Sequence, residues 1–194
     1  MSHKDNREII LEAFNELSTK SDFESITVFQ IARKAGVSRA TFYRWFKDKY
    51  DVMNYNYSSL VDGYMNSPDV TTMEDLFVLL LEAAERNREK MVPLFKSEGV
   101  NSFYSFIRNY SFTAVKNIYE YGDVHGCDTK RKVMSEQEAL QLRIFASGAA
   151  SFYKDWIHGS YTLSAKEAAK AMAEILPSYL KGDILTRSLS LCAD

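Results

Sequence analysis

Proline, glycine and cysteine are scarce in this sequence. Its 194 residues include three prolines, eight glycines and two cysteines. Because proline and glycine interrupt regular secondary structure, their scarcity favours long helices over many short strands joined by turns. The two cysteines, Cys127 and Cys192, are too few for a disulfide framework, and this usage is typical of proteins in a reducing cytosol.

Long apolar runs are also missing. The N-terminal segment carries charged residues where the apolar core of a signal peptide would have to lie. Apolar stretches such as residues 79–81 are far shorter than the roughly 20 residues that a membrane span needs. We therefore expect a soluble, cytoplasmic protein that has no contact with a membrane.

Recognisable catalytic motifs are absent from the sequence. It contains no glycine-rich phosphate-binding loop, no nucleophile elbow and no pair of carboxylates in a known catalytic setting. His125 and Cys127, with Cys192 or His158, could be considered as zinc ligands, but their spacing fits no standard zinc pattern. We therefore predict that the protein is not an enzyme and holds neither a metal nor a cofactor.

Signals for helix starts recur along the chain. In a capping box, a Ser, Thr or Asp side chain and an acid or amide three residues later satisfy each other's backbone amides. An apolar pattern with helical spacing follows each candidate box, and Pro177 is predicted to bend or end the last helix. The pattern predicts an all-α fold of about nine helices, with a three-helix head (residues 1–48) and a larger helical body (residues 49–194). The candidate boxes are Asp5/Glu8, Thr27/Gln30, Thr71/Glu74, Ser135/Glu138 and Ser164/Glu167.

Positive charge is concentrated in one short segment of a chain whose formal net charge is −2. Between Gln30 and Lys49, six basic residues face a single acid, Asp48. Neutralisation of phosphates dominates the affinity of proteins for nucleic acids, so the segment is a candidate for contact with DNA. A solvated helix face can be equally basic, and charge alone does not separate the two readings. The basic residues are Arg33, Lys34, Arg39, Arg44, Lys47 and Lys49.

The same segment has the pattern of a helix-turn-helix. Two short helices that cross steeply need a small residue at their contact and a glycine in the turn, followed by an apolar residue. Ala32, Gly36 and Val37 meet these needs, and Phe42 and Phe46 are spaced to face inward from the second helix. The remaining residues of that helix would face outward, at positions that reach base edges when such a helix enters the major groove. They are Arg39, Ala40, Thr41, Tyr43 and Arg44.

From Ile31 to Lys49 the sequence reads I-A-x-x-A-G-V-S-x-x-T-x-Y-x-x-F-x-x-K. This pattern resembles the DNA-binding head of the TetR family of bacterial repressors. The resemblance implies a regulator of the bacterial cytosol that binds a palindromic double-stranded DNA operator as a homodimer. It implies that Tyr43, Lys49, Thr27 and Val28 contact phosphates, and that the outward face of the second helix meets bases or their flanking phosphates. That face comprises Arg39, Ala40, Thr41 and Arg44. Phe29 and Trp45 depart from the residues usual at their positions.

Simpler interpretations remain open at this stage. Tyr43 could be a packing aromatic, Thr41 a neutral helix residue, and Arg39 and Arg44 solvated charges. The head as a whole could be mainly structural, in a helical module that binds a protein partner. Salt dependence separates these hypotheses, because phosphate contacts make affinity fall steeply with salt.

Two helices near the C-terminus carry small and apolar residues that permit close helix contact. Residues 145–152 and 165–180 could form a four-helix bundle with the same helices of a second subunit. Small residues also occur in the core of a single chain, so this alternative stays open. The residues predicted at a dimer interface are Gly148, Ser151, Ala169, Met172 and Leu176.

Aromatic residues crowd the body between residues 55 and 119. In the family that the head resembles, such a body encloses a pocket for a small organic effector, and Tyr64, Phe103, Tyr104 and Tyr110 are candidate lining residues. The alternative is that they are core. The body's helix lengths and its ending at residues 156–159 before a capped helix are similar to a subgroup that includes regulators of dihydroxyacetone kinase operons. This second resemblance leaves open activation instead of repression, and a protein partner instead of a small molecule.

Overall fold

The structure, a computed structural model, describes residues 5–65, 67–96, 102–121 and 132–181. These residues form α-helices and 3-10 turns and no β-strand, which confirms the predicted all-α class. His125, Cys127 and Cys192 lie outside the described residues. The helices are α1 (Asn6–Ser18), α2 (Val28–Lys34), α3 (Arg39–Trp45), α4 (Lys49–Met65), α5 (Met73–Arg86), α6 (Arg88–Leu94), α7 (Phe103–Tyr121), α8 (Glu136–Ile157) and α9 (Ala165–Glu174), and the 3-10 turns are Phe23–Ser25 and Ser178–Leu180.

Side-chain caps begin most of these helices, largely where the sequence predicts them. The boxes Thr27/Gln30, Ser135/Glu138 and Ser164/Glu167 are present with reciprocal hydrogen bonds. Asp5 caps α1 through the amide of Arg7, without a reciprocal bond from Glu8. The predicted box Thr71/Glu74 is wrong by one residue, because Thr72 and Asp75 form it.

The head, formed by α1, α2 and α3, packs around an aromatic and aliphatic core. Helix α1 contacts α2, α3 and the start of the body, α4. Ile10, Ile31 and Phe42 are fully buried in this core, and Phe14 meets the ring of Phe23 edge-on at 6.2 Å. The head therefore contacts α4 through α1. Helices α2 and α3 form the surface of the head on the other side.

The body is organised by two close helix pairs, α5 with α9 and α7 with α8, and α4 contacts both α5 and α7. Trp156 near the end of α8 is fully buried, and its indole Nε1 donates to the carbonyl of Leu163 at 2.8 Å. Helix α9 ends at Glu174, before Pro177, as the sequence predicts, and the 3-10 turn Ser178–Leu180 follows Pro177. In the described part of the chain, no helix combines the length and the apolar character needed to cross a membrane.

The residues predicted at a dimer interface differ in their exposure. Gly148 and Ser151 lie on the exposed face of α8, as a subunit contact requires. Ala169 and Leu176 differ from the prediction, because they are buried in the core of the single chain. The reason is that α9 turns its alanine face toward α5 of its own subunit. Met172 is half-buried and lines a small internal cavity of about 70 Å³.

Candidate functional site

The turn between α2 and α3 sets the angle at which α3 is presented. Gly36 has a φ of +68°, a left-handed conformation that favours glycine. Its amide donates to the carbonyl of Arg33 at 3.2 Å, and the amide of Val37 donates to the carbonyl of Ala32 at 3.0 Å. These two bonds form a Schellman motif, which ends α2 and satisfies its last carbonyls. The motif therefore joins α2 to α3 with a defined geometry.

Helix α3 is held on its inner side by two phenylalanines. Ser38 caps the helix by accepting a hydrogen bond from the amide of Thr41 at 3.0 Å. Phe42 is fully buried, and Phe46, just after the helix, packs against it with ring centroids 6.0 Å apart. This packing leaves the opposite side of α3 in solvent.

The outward side of α3 brings together the residues predicted to contact DNA. Arg39, Ala40 and Arg44 are exposed, and Tyr43 is 50% exposed. The guanidinium of Arg39 lies 3.5 Å from the hydroxyl of Tyr43, so both side chains point to the same region. Thr41 is half-buried, and its hydroxyl lies 2.9 Å from that of Ser38. The side chain of Thr41 is thus less accessible to a ligand than the side chains of Arg39, Tyr43 and Arg44.

Helix α2 contacts α3, and its start adds one exposed residue, Phe29, that the sequence analysis did not predict at the DNA surface. Thr27 is exposed and Val28 is half-buried. Thr27 and Gln30 satisfy each other's amides, at 3.2 Å and 2.8 Å. Phe29 is 57% exposed and lies in solvent. The sequence shows that Phe29 departs from the usual residue type at its position. That departure does not by itself predict that the side chain is exposed.

Lys49, for which the resemblance implies a phosphate contact, binds groups of its own chain in this structure. Its ammonium group donates to the carbonyls of Phe23 and Glu24, both at 2.9 Å, and lies 4.6 Å from the centre of the Phe23 ring. The carboxylate of Glu24 is 3.7 Å away, and the Lys49 side chain is only 13% exposed. Lys49 therefore joins the first turn of α4 to the 3-10 turn of the head.

Replacing Lys49 with alanine is expected to lower the stability of the head. The change removes charge-assisted bonds to two carbonyls, at a cost of about 1–3 kcal/mol. Thermal unfolding should show a lower Tm for Lys49→Ala and an unchanged Tm for the matched control Lys47→Ala, whose side chain is exposed. If Lys49 instead contacts a phosphate, its loss would reduce the slope of log K for DNA binding against log salt concentration by about one. An unchanged Tm with that reduced slope would contradict the structural role.

A second link between the head and α4 also escaped the sequence analysis. The guanidinium of Arg7 lies over the rings of Trp45 and Tyr55, at 4.9 Å and 5.0 Å from their centres. It also donates to the Tyr55 hydroxyl at 3.3 Å. Arg7 thereby connects α1, the end of α3 and α4, which are far apart in sequence. No local spacing pattern encodes such a contact.

The four predicted pocket residues do not share one cavity. Tyr64 and Phe103 line a cavity of about 400 Å³ between the head and the body. Tyr110 lines two other cavities, of about 60 Å³ and about 480 Å³, and donates to Asp62 at 3.3 Å. Tyr104 lies beneath the ammonium of Lys154, 5.8 Å from the ring centre.

Metal chemistry receives no support from the described part of the chain. It contains no group of three or more His, Cys, Asp or Glu side chains placed to hold a metal ion. Of the four residues considered for zinc, only His158 is described, and its Nδ1 lies 2.7 Å from the carbonyl of Lys154. A hydrogen bond to that carbonyl accounts for the position of the ring.

Solved structures share this fold at low sequence identity. One is FadR from Thermus thermophilus, a TetR family transcriptional repressor in complex with lauroyl-CoA (22% identity, 87% of this chain and 92% of that chain, TM-score 0.58). Another is a TetR transcriptional regulator from Rhodococcus sp. RHA1 (16%, 91% and 97%, TM-score 0.58). A third is the dihydroxyacetone kinase operon activator DhaS (17%, 88% and 91%, TM-score 0.53). No curated protein sequence matches the chain.

Sequence profiles of known families match both parts of the chain. The profile described as bacterial regulatory proteins, tetR family, matches residues 10–55, which include all of α2 and α3. The profile described as transcriptional regulator C-terminal region matches residues 71–178, more than half of the chain. The chain belongs to the TetR family of bacterial DNA-binding regulators.

Proposed function

We propose that this TetR-family regulator is a homodimeric repressor of the bacterial cytosol, which binds a palindromic operator and releases it when a small organic effector binds the body. The observation that carries the proposal is the outward side of α3. Arg39, Tyr43 and Arg44 are exposed together there, and α3 contains no acidic residue. Such a surface attracts phosphates and offers a guanidinium for base edges.

The exposed face of α8 supports the homodimer. Leu140 and Ile144 are 61% and 64% exposed, and Gly148 and Ser151 continue the same face. Large apolar side chains so exposed on one helix face are typical of a protein contact. Two-fold pairing through this face would present two copies of α3, and the operator half-sites would then lie about one DNA turn apart.

A titration with the DNA upstream of the protein's own gene tests the proposal. Arg39→Ala should weaken binding about 5- to 150-fold at the preferred sequence and should change which sequence is preferred, as expected for a lost base contact of about 1–3 kcal/mol. Tyr43→Phe should weaken binding to all sequences alike, because it removes a phosphate contact. Lys166 is exposed on α9, so Lys166→Ala is the matched control. This variant should bind DNA as the wild type does.

Two outcomes would contradict the proposal. The first is equal affinity of wild type and Arg39→Ala for every DNA sequence. The second is an affinity that does not fall with salt, as expected if the protein were a helical interaction module with a structural head. Repression itself is tested by transcription in vitro from the same upstream region, which should fall as the protein is added.

A further inference from the structure

The cavity of about 400 Å³ lies at the junction of the head and the body. Helix α1 of the head forms one wall through Phe14, Asn15 and Ser18, and α4, α5, α6, α7 and α8 supply the rest. Its volume is in the range of small-molecule sites, roughly 300–1,000 Å³. The buried end is lined by Phe103 and Tyr153, whereas residues at the opposite end are exposed. The cavity therefore has an apolar interior and a polar rim.

The rim carries positive charge only. Arg86 and Lys90 line the cavity and are exposed, and no Asp or Glu lines it. Arg86 has one acidic neighbour outside the cavity, Glu82, at 3.6 Å one helical turn away. A solvent-exposed pair of this kind contributes little, so the guanidinium remains available to a second anion. The rim suits a ligand with a negative charge.

Two tyrosine hydroxyls add polar groups to the buried end. Tyr57 and Tyr153 both line the cavity. Among the described residues, neither hydroxyl has a hydrogen-bond partner. Burial raises the pKa of both hydroxyls, so they are neutral donors at physiological pH. Hydroxyls that line a cavity without a protein partner are free to donate to a ligand atom that accepts a hydrogen bond.

We propose that this cavity binds an anionic amphiphile, whose apolar chain fills the interior between α4 and α6 and whose acidic head group lies between Arg86 and Lys90. The proposal rests on the effector control stated above and adds the chemical class of the effector. An oxygen or unsaturated group along the chain would meet Tyr57 and Tyr153. A neutral ligand would leave the rim charges unused, and a cationic one would be repelled by them.

The ligand would touch the head directly. At the rim, Asn15 of α1 donates to Asn56 of α4 at 3.2 Å, and both residues line the cavity. Helix α6, which carries Lys90, also contacts the 3-10 turn Phe23–Ser25 of the head. A ligand between α1 and α6 would contact both the head and the body. Its affinity would then depend on how the head lies on the body, as regulation requires.

Binding is tested with three ten-carbon probes below their critical micelle concentrations: decanoate, decanol and decyltrimethylammonium. Isothermal titration calorimetry on the full chain should show one site that prefers decanoate. Replacing Arg86 and Lys90 with alanine together should weaken decanoate about five- to tenfold and change decanol less than about twofold. The matched control is the exposed α9 pair Lys166→Ala and Lys170→Ala, which does not line the cavity and should leave both affinities unchanged.

The effect on DNA separates this inference from the proposed function. Saturating decanoate should weaken operator binding by the wild type, and the Arg86/Lys90 variant should bind DNA normally but need more decanoate for release. Equal binding of the three probes, or a decanoate affinity unchanged in the double variant, would overturn the inference. So would decanoate binding that leaves DNA affinity unchanged. In each of these cases sequence-specific DNA binding would still support the regulator, whereas its absence would refute the proposed function instead.

Discussion

Replacing Phe42 with alanine is expected to unfold the head and to abolish specific DNA binding. The Phe42 side chain is fully buried and contacts the rings of Tyr43 and Phe46, at 5.6 Å and 6.0 Å. Removing a buried phenylalanine costs about 3–5 kcal/mol, which is a large part of the stability of a small domain. Circular dichroism during heating should show a first unfolding transition at a lower temperature than in the wild type. A gel shift with the upstream DNA should show no specific complex.

Tyr43→Ala is the matched control for Phe42→Ala. The two residues are adjacent in α3, but Tyr43 is exposed, so its replacement should change stability by less than about 1 kcal/mol. Both variants should lose DNA affinity, and only Phe42→Ala should lose the fold of the head. A stable, folded Phe42→Ala head would mean that Phe42 is not the inner support of α3.

The helix-turn-helix could be predicted from sequence because its requirements are local. A left-handed glycine, a serine cap and two phenylalanines four residues apart each act within one or two helical turns. Gly36, Ser38 and Phe42 are placed in the structure where those requirements put them. The one-residue error at the start of α5 has the same origin. Thr71 and Thr72 precede Glu74 and Asp75, so two registers satisfy the same pattern.

Contacts between distant segments could not be predicted in the same way. Lys49 has a long side chain, and its partners, Phe23 and Glu24, lie 26 and 25 residues earlier in the chain. Small residues such as Ala169 indicate a close helix neighbour but not whether it belongs to the same subunit, and here it is α5. Spacing also does not distinguish a core aromatic from one that lines a cavity, which is why Tyr57 and Tyr153 are not among the predicted lining residues.

The second large effect is expected for a substitution on the exposed face of α8. Replacing Ile144 with aspartate should convert a dimer into a monomer and weaken operator binding more than about 100-fold. Ile144 is 64% exposed in the single chain, so the change leaves the fold of the subunit intact. In a two-fold interface the new carboxylate would be buried twice without a partner, and an uncompensated buried charge costs about 3–5 kcal/mol. A tenfold change in affinity corresponds to about 1.4 kcal/mol, so a 100-fold loss corresponds to about 2.8 kcal/mol. The cost of the buried carboxylates exceeds this value.

Leu60→Asp is the matched control for Ile144→Asp, because Leu60 is an exposed apolar residue on α4 and lies outside the α8 face. Analytical ultracentrifugation should show a dimer for the wild type and for Leu60→Asp, and a monomer for Ile144→Asp. A single subunit presents one copy of α3, which covers too little DNA for a specific complex. An Ile144→Asp protein that stays dimeric would place the subunit contact on another face. One that is monomeric but binds the operator as tightly as the wild type would refute the dependence of DNA recognition on the dimer.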